Sequence, residues 1–469
     1  MFKPELKSFK ERMHPYQRRG IALAVRQATV GLLLRPGAGK TSTMLATLRI
    51  LLDKKLCRRM LVISTKRSVL DTWPQEPQAW EEFQHLKVHV FHDKGRINPP
   101  DDCDIYCVNF DNIEWLLNSP YMEWFKGEVL CVDESTAFKN PQTKRFKLLK
   151  TILKKFARRY ILTGTPSPNG LIDLFGQIYI LDEGTALGRY ITHYRNTYFY
   201  PTGFGGYEWK LQPGAEERIA KRIAPITMVI NEEEIGGLPD LTYNYRIVRL
   251  PPKVMAEYKK MEDELVAAVE GDLIVAANAA VASGKCRQIT AGALYNGDGA
   301  LSGDWQKVRD YAILHKEKIR AVEELLDELN GESLFLLYEF DFEREMYLEA
   351  LGSQARAISG CTDREASAAI QAFQRGELRV LLGQHASASK SLNLQFSCSN
   401  ICMSTVSWSE EHYDQGILRV RRQGNKAEKV TLHFIVAKDT IDERAVQTVQ
   451  AKDRDQRSFM TMLKGLRRR

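Results

Sequence analysis

The chain has 469 residues, of which 44 % are hydrophobic and 27 % charged; this excludes fibrous and disordered classes and leaves room for two to three ordinary domains. No run approaches the ~18 apolar residues a membrane span needs, and the charged opening MFKPELKSFKERMH lacks the apolar core of a signal peptide. The formal net charge of +8 and pI near 8.9 favour a polyanionic partner, because neutralised phosphates release counterions.

In chain order, GLLL (31–34), MLVIS (60–64), IYCVNF (105–110), VLCV (129–132) and YILT (160–163) read as buried strands, with helical patterns between most of them. That rhythm is the βαβ signature of a parallel sheet covered on both faces. Residues 170–230 carry loop signals such as PTGFGG (201–206), and a helix-rich stretch follows GGLPD (236–240). GDGALSGDW (297–305) reads as a flexible joint. The strand rhythm then returns in LFLLYEF (334–340), ARAIS (355–359), LRVLLG (378–383), NICMST (400–405) and VTLHFIV (430–436). The expected architecture is α/β, with two parallel-sheet lobes in tandem and a mainly helical insertion between them. The expected divisions are 1–230, 231–305 for the insertion and joint, 306–452, and a basic tail over 453–469. The eight cysteines include two C-x3-C pairs but no cluster of zinc spacing, and read as reduced thiols.

Strand GLLL runs into RPGAGKTSTMLATLRILL. Gly37 and Gly39 let successive backbone N–H groups face a phosphate. Lys40 is placed to reach the β- and γ-phosphates, and the Thr41 hydroxyl to ligate Mg²⁺. Leu34 stands where the general P-loop pattern has its first glycine. VLCV ends in Asp133-Glu134. An acid at the end of a strand beside such a loop suits magnesium binding, which assigns Asp133 to the metal and Glu134 to the attacking water as general base.

These segments together resemble the superfamily-two helicases, and within them the compact phage and bacterial Swi/Snf-type translocases, over about Met13 to Lys452. MHPYQRRG is similar to the Q motif and assigns Gln17 to adenine. RPGAGKT resembles motif I and LVISTKRSVLDTWPQE motif Ia. VDESTAFKNPQTKRFKLLK resembles the Swi/Snf form of motif II and its sequel, and LTGTPSPNGLIDLFGQIYIL resembles motif III. In the second half, SLFLLYEF is similar to motif IV, HASASKSLNL to motif V and QGILRVRRQGN to motif VI. The resemblance implies two RecA-like lobes and an ATP- and Mg²⁺-dependent motor. It assigns Arg419 and Arg422 to the γ-phosphate, with Gln415 nearby, and Thr163 and Thr165 to coupling. Thr65, Ser359 and Asn393 fall in segments that contact the nucleic-acid backbone. Motif V carries Ala388, Ser389 and Ser391 where the family has paired glycines, and Arg421 replaces a histidine in motif VI.

The function implied is an ATP-dependent translocase or helicase on double-stranded or branched DNA, held through phosphate contacts, in replication, recombination or repair. Alternatives are the motor of a restriction or nuclease system and an RNA helicase. Replication or recombination proteins, or a separate nuclease chain, are the further partners implied; a membrane is not. The expected location is cytoplasmic, the host cytoplasm if a phage encodes the chain. Trp73, Trp80, Tyr207 and Trp209 are candidates to stack on bases or wedge a junction, although such aromatics more often fill cores.

Overall fold

The computed structural model describes residues 8–202, 208–230, 232–270, 275–295, 306–307, 310–388 and 392–467. Two compact units account for them: Met1–Gly236 with Arg454–Arg469, and Gly237–Asp453. The joint read at 297–305, Tyr207, and Ser389 and Ser391 of motif V lie outside the described residues.

The first unit is built on strands β1 (Thr29–Leu33), β2 (Met60–Ser64), β3 (Val88–Val90), β4 (Ile105–Asn109), β5 (Val129–Asp133) and β6 (Arg158–Thr163). A small antiparallel hairpin, β7 (Phe199–Thr202) with β8 (Glu208–Leu211), and a final strand β9 (Thr227–Val229) follow. The main sheet runs β3-β4-β2-β5-β6-β1-β9, parallel throughout. Its central strands are apolar on both faces because helices cover both. Val30, Leu32, Leu61, Ile63, Leu130 and Val132 are fully buried. Since every strand points the same way, the carboxyl ends of β1, β2, β5 and β6 share one edge, and there the chain carries its phosphate loop, its acidic pair and the LTGTP segment.

The second unit has β10 (Asp240–Val248), a small antiparallel sheet of β11 (Ala293–Tyr295), β12 (Gln306–Lys307) and β13 (Tyr311–Ile313), then β14 (Leu334–Tyr338), β15 (Ala355–Ala357), β16 (Val380–Gln384), β17 (Asn400–Met403) and β18 (Lys429–Ala437). Its parallel sheet runs β10-β18-β17-β14-β16-β15. Helices Pro252–Glu270 and Val275–Ala291 supply the helical character expected over 231–305, but they follow β10 and so lie within the second unit, and Val254, Tyr258, Cys286 and Ile289 share one small core. Both sheets with their helices match the architecture read from the sequence. All eight cysteines are free thiols, seven of them buried.

The basic tail read over 453–469 is, as far as residue 467, the end of the helix Ile441–Arg467. Phe459 and Leu463, spaced i,i+4 on one helix face, are each 1 % exposed in the core of the first unit. The apolar burial of these two side chains, not the local excess of basic residues, decides how this segment folds. Among the described residues no helix is long and apolar enough to cross a membrane.

The second unit buries three histidines as neutral rings. His315 accepts from the Glu317 backbone N–H at Nδ1 (3.2 Å) and donates from Nε2 to the Ile289 carbonyl at 2.8 Å. His385 sits against the Thr405 carbonyl at 2.7 Å, and His433 is also buried. Desolvation pushes all three down to about 4. The unfolded chain protonates its histidines near pH 6.5, so below that pH it binds more protons than the fold and gains on it. Thermal stability of the second unit is therefore expected to fall as pH drops from about 6.5 towards 4. Buried Glu343, whose carboxyl is raised by desolvation, acts in the opposite sense and softens the slope. Melting temperatures over that pH range check this; a midpoint rising on acidification would contradict it.

Candidate nucleotide site and its coupling network

Strand β1 delivers the chain to the loop Arg35–Gly39, which turns through positive φ at Gly37 (85°) and Gly39 (68°) before the helix Lys40–Asp53. Both values suit glycine and penalise any side chain. At Gly39 space is closed as well: an added Cβ would lie 2.5 Å from Gln17 Nε2 and 3.0 Å from Ser42 Oγ. Gln17 is buried at 4 % exposure. Its Oε1 accepts from the His14 backbone N–H at 3.0 Å, and its Nε2 donates to the Gly39 carbonyl and Thr43 Oγ1, each at 3.4 Å. The helix Pro15–Arg26 and the loop are thus one construction. Lys40 Nζ donates to the Leu34 carbonyl at 3.0 Å, which holds its ammonium at the head of the loop. Arg35 pairs with Glu232, which also meets Arg457 at 3.3 Å.

Gly39→Ala is expected to cost about 1–2 kcal/mol of backbone strain and to displace Gln17. Nucleotide affinity should fall about tenfold or more, read by titration with a fluorescent ATP analogue. An unchanged affinity would contradict the close packing of Gln17 on the loop.

Asp133 closes β5 at 6 % exposure. In the register Asp133↔Leu162 and Leu33↔Thr163, it stands two strands from the start of the loop, about 10 Å across the sheet. One carboxylate oxygen, Oδ2, accepts from Ser64 Oγ (2.9 Å), Ser68 Oγ (3.0 Å) and Trp73 Nε1 (3.2 Å). Oδ1 accepts the Glu134 backbone N–H at 3.1 Å. Glu134 is half-buried and holds φ 53°, ψ 54°, a left-handed conformation. That position costs a non-glycine residue about 1–2 kcal/mol and is typical of functional turns.

Thr163 and Thr165, between these two segments, are buried with Thr136 in one hydroxyl network. The Thr136 hydroxyl lies 2.8 Å from that of Thr163 and 3.1 Å from the Thr165 carbonyl, and the Thr165 N–H donates to Thr163 Oγ1 at 3.3 Å. Ser135 Oγ donates to Gln177 Oε1 at 2.9 Å, and Gln177 Nε2 donates to the Pro166 carbonyl at 2.6 Å. Gly164 presses against the phosphate loop, since a Cβ there would lie 2.4 Å from Pro36 Cδ. From the far side, Gln456 Oε1 accepts the Ser167 N–H at 3.3 Å. Acidic turn, LTGTP segment and phosphate loop are therefore in direct contact. Thr136, Gln177, Ser64 and Ser68 were not singled out in the sequence; the proximity of Thr136 to Glu134 was the available signal.

In the second unit, Gln415 and Arg419 are buried on the helix Glu410–Val420. Gln415 Nε2 donates to Glu411 Oε1 at 3.2 Å. Arg422, just past that helix, donates to Asn393 Oδ1 at 2.7 Å, so two residues assigned to different ligands meet. Ser359 stands apart beyond β15, where its Oγ accepts the Gln384 N–H at 3.3 Å. Arg421 Nε bonds the Pro239 carbonyl at 2.8 Å, which anchors β10 where the family's histidine would stand.

Thr65 is exposed. Trp73, a candidate for base stacking, is instead fully buried. Trp80 packs edge-on against Phe9 at 5.4 Å, and Trp209 lies under the Arg195 guanidinium at 5.4 Å.

The SNF2-related domain matches residues 16–280 of the chain. Protein p41 of Acyrthosiphon pisum secondary endosymbiont phage 1 is 30 % identical over 439 residues, covering 89 % of this chain and 91 % of its own. Chromatin remodeling factor mit1 of Schizosaccharomyces pombe is 28 % identical over 158 residues, covering 31 % of this chain but only 11 % of that protein's length. Among solved structures, the Sulfolobus solfataricus SWI2/SNF2 ATPase core in complex with dsDNA has a TM-score of 0.45 at 20 % identity, over 99 % of this chain and 96 % of that one.

Proposed function

The chain belongs to the SNF2-related family of nucleic-acid-dependent ATPases, and from that premise we propose that it is an ATP-driven translocase acting on duplex or branched DNA. The observation that carries the reading is the buried hydroxyl network of Thr136, Thr163 and Thr165 beside Asp133 and Glu134. It ties the turn that bears the general base to a segment that touches the phosphate loop, which is what an ATPase governed by a second ligand needs.

The residues fit a magnesium–ATP complex. Gly37 and Gly39 turn the loop through positive φ, a Cβ at Gly39 would strike Gln17 and Ser42, and the helix Lys40–Asp53 begins directly after the loop, with its N-terminus beside it. Gly37, Gly39 and Lys40 would hold the phosphates and Gln17 the base, while Thr41 and Asp133 would hold Mg²⁺. Bound magnesium neutralises charge on the β- and γ-oxygens. Glu134 takes the proton of the attacking water, and Arg419 and Arg422 keep the charge-neutralising role of motif VI, with Gln415 beside them. Thr163 and Thr165 relay between hydrolysis and nucleic acid. Thr65, Ser359 and Asn393 hold the phosphate backbone, so binding is expected to be weakly sequence-dependent and to weaken steeply with salt.

The net charge of +8 suits a polyanionic track, and the Swi/Snf form of VDESTAFKN favours duplex DNA over RNA as that track. Displacement of a third strand from a DNA triplex tests this. ATP-dependent displacement without separation of the underlying duplex is expected. Separation of a forked duplex without triplex displacement would overturn it in favour of a strand-separating helicase.

A further inference from the structure

We propose that Ser64, Ser68 and Trp73 are positioning residues for the Asp133 carboxylate, and that through them the segment bearing Thr65 sets how tightly the magnesium–nucleotide complex is held. The coupling half of this inference rests on the function proposed above; the positioning half rests on geometry alone.

A carboxylate offers about four lone-pair directions. Three donors converge on Oδ2 of Asp133, all from the stretch between β2 and Trp73. Ser64 and Trp73 are fully buried and Ser68 is 9 % exposed. Oδ2 has no direction left for a cation. Oδ1, which accepts the Glu134 N–H, is the oxygen that remains to face one. The donors thus fix both the rotation of the carboxylate and which oxygen it presents.

The backbone is built for this arrangement. Residues Ser68–Thr72 form a π-helical turn, with the Trp73 N–H bonded to the Ser68 carbonyl. On an α-helix, residues five apart point about 140° away from each other. The wider π-turn closes at i→i+5 and brings them onto one side. In that register Ser68 and Trp73 reach the same oxygen. Single π-turns are uncommon and gather at functional sites.

The same stretch has an outer face. Thr65, Lys66, Leu70 and Asp71 are exposed while Ser64, Ser68 and Trp73 are buried. Thr65 Oγ1 accepts the Ser68 N–H at 3.3 Å, and its carbonyl accepts the Val69 N–H at 3.1 Å. A phosphate drawn to Thr65 therefore acts on Ser68, the residue at which the π-turn begins and one of the three that hold the Asp133 carboxylate. This route is distinct from the Thr136–Thr163–Thr165 network.

The test is a binding measurement. Fluorescent ADP is titrated with Mg²⁺ and with EDTA, on the full chain, for wild type, Ser68→Ala, Ser68→Thr and Trp73→Phe. Wild type should bind more tightly with Mg²⁺. Ser68→Ala and Trp73→Phe should each lose about tenfold of that gain, the size expected for one hydrogen bond to a charged group. Metal-free affinity should stay constant, and Ser68→Thr should keep the gain. Added duplex should shift the Mg·ADP affinity of wild type and not of Ser68→Ala. Since Trp73→Phe leaves a gap in the core, Ser64→Ala with Ser68→Ala carries the test if that variant melts early. An undiminished magnesium gain in Ser68→Ala and the double variant would overturn the positioning role. A diminished gain with an unaltered duplex effect would overturn the coupling alone. A wild type whose ATPase ignores nucleic acid would instead sink the proposed function while leaving the positioning result standing.

Discussion

Glu134→Gln is expected to lower ATP turnover by about 10²–10⁴-fold, the usual worth of a positioned general base, while nucleotide affinity stays within a few-fold of wild type. The amide keeps the size of the side chain and removes the basic oxygen, so the loss falls on the chemical step, about 3–5 kcal/mol of barrier. Binding is spared because the ground-state contacts proposed for the nucleotide belong elsewhere: Gly37, Gly39, Lys40 and Gln17 lie before or within the helix Lys40–Asp53. The backbone is spared too. Glu134 pays its left-handed strain at φ 53° in either form, since both side chains are unbranched at Cβ, and its N–H still donates to Asp133. Paired measurements of turnover and of equilibrium ATP binding check this. A parallel loss of binding would move Glu134 from base to ligand.

Lys318→Met is expected to destabilise the second unit by about 3–5 kcal/mol, the cost of leaving a buried charge without its partner. The Lys318 side chain is 1 % exposed and lies 2.7 Å from Asp442, itself 6 % exposed. Its ammonium also donates to the Ser404 carbonyl at 2.8 Å. Asp442 in turn accepts from Thr290 Oγ1 at 2.9 Å and the Ala437 N–H at 3.1 Å. Glu343 holds the hydroxyls of Ser404 and Thr405, each at 2.9 Å. The network ties the end of β17 to the start of the helix Ile441–Arg467. Without the lysine, two carboxyl groups remain in a site that excludes water. Adding Asp442→Asn should recover part of the loss, because replacing both partners of a buried pair is far milder than removing one. Thermal and urea unfolding read both effects. A melting point unchanged by Lys318→Met would mean that the pair contributes nothing to the fold.

Legibility followed burial. Strands apolar on both faces, such as β2 and β5, were readable as continuous runs because helices cover both sides of their sheet. β10 was not, since its residues alternate between partly buried and exposed along Asp240–Val248, as an edge strand's do. β3 and β9, three residues each, are too short to carry a pattern. The loop and the acidic pair were legible because their chemistry is local: glycines, a lysine and an acid at set distances from a strand. The partners of Asp133 were not, because Ser68 and Trp73 meet it through a π-turn that no periodicity announces, and Ser64 meets it from the end of the neighbouring strand β2. The helix end over 454–467 was hidden by its charge, although the spacing of Phe459 and Leu463 was there to be read.

On the function proposed, nucleic acid governs ATP hydrolysis through the first unit's acidic turn. Steady-state ATP turnover of the full chain, measured alone and with duplex DNA, a four-way junction, single-stranded DNA and RNA, tests it most directly. Strong stimulation by duplex or branched DNA, abolished in Glu134→Gln, is the predicted result. Turnover that is the same with and without every nucleic acid would contradict it.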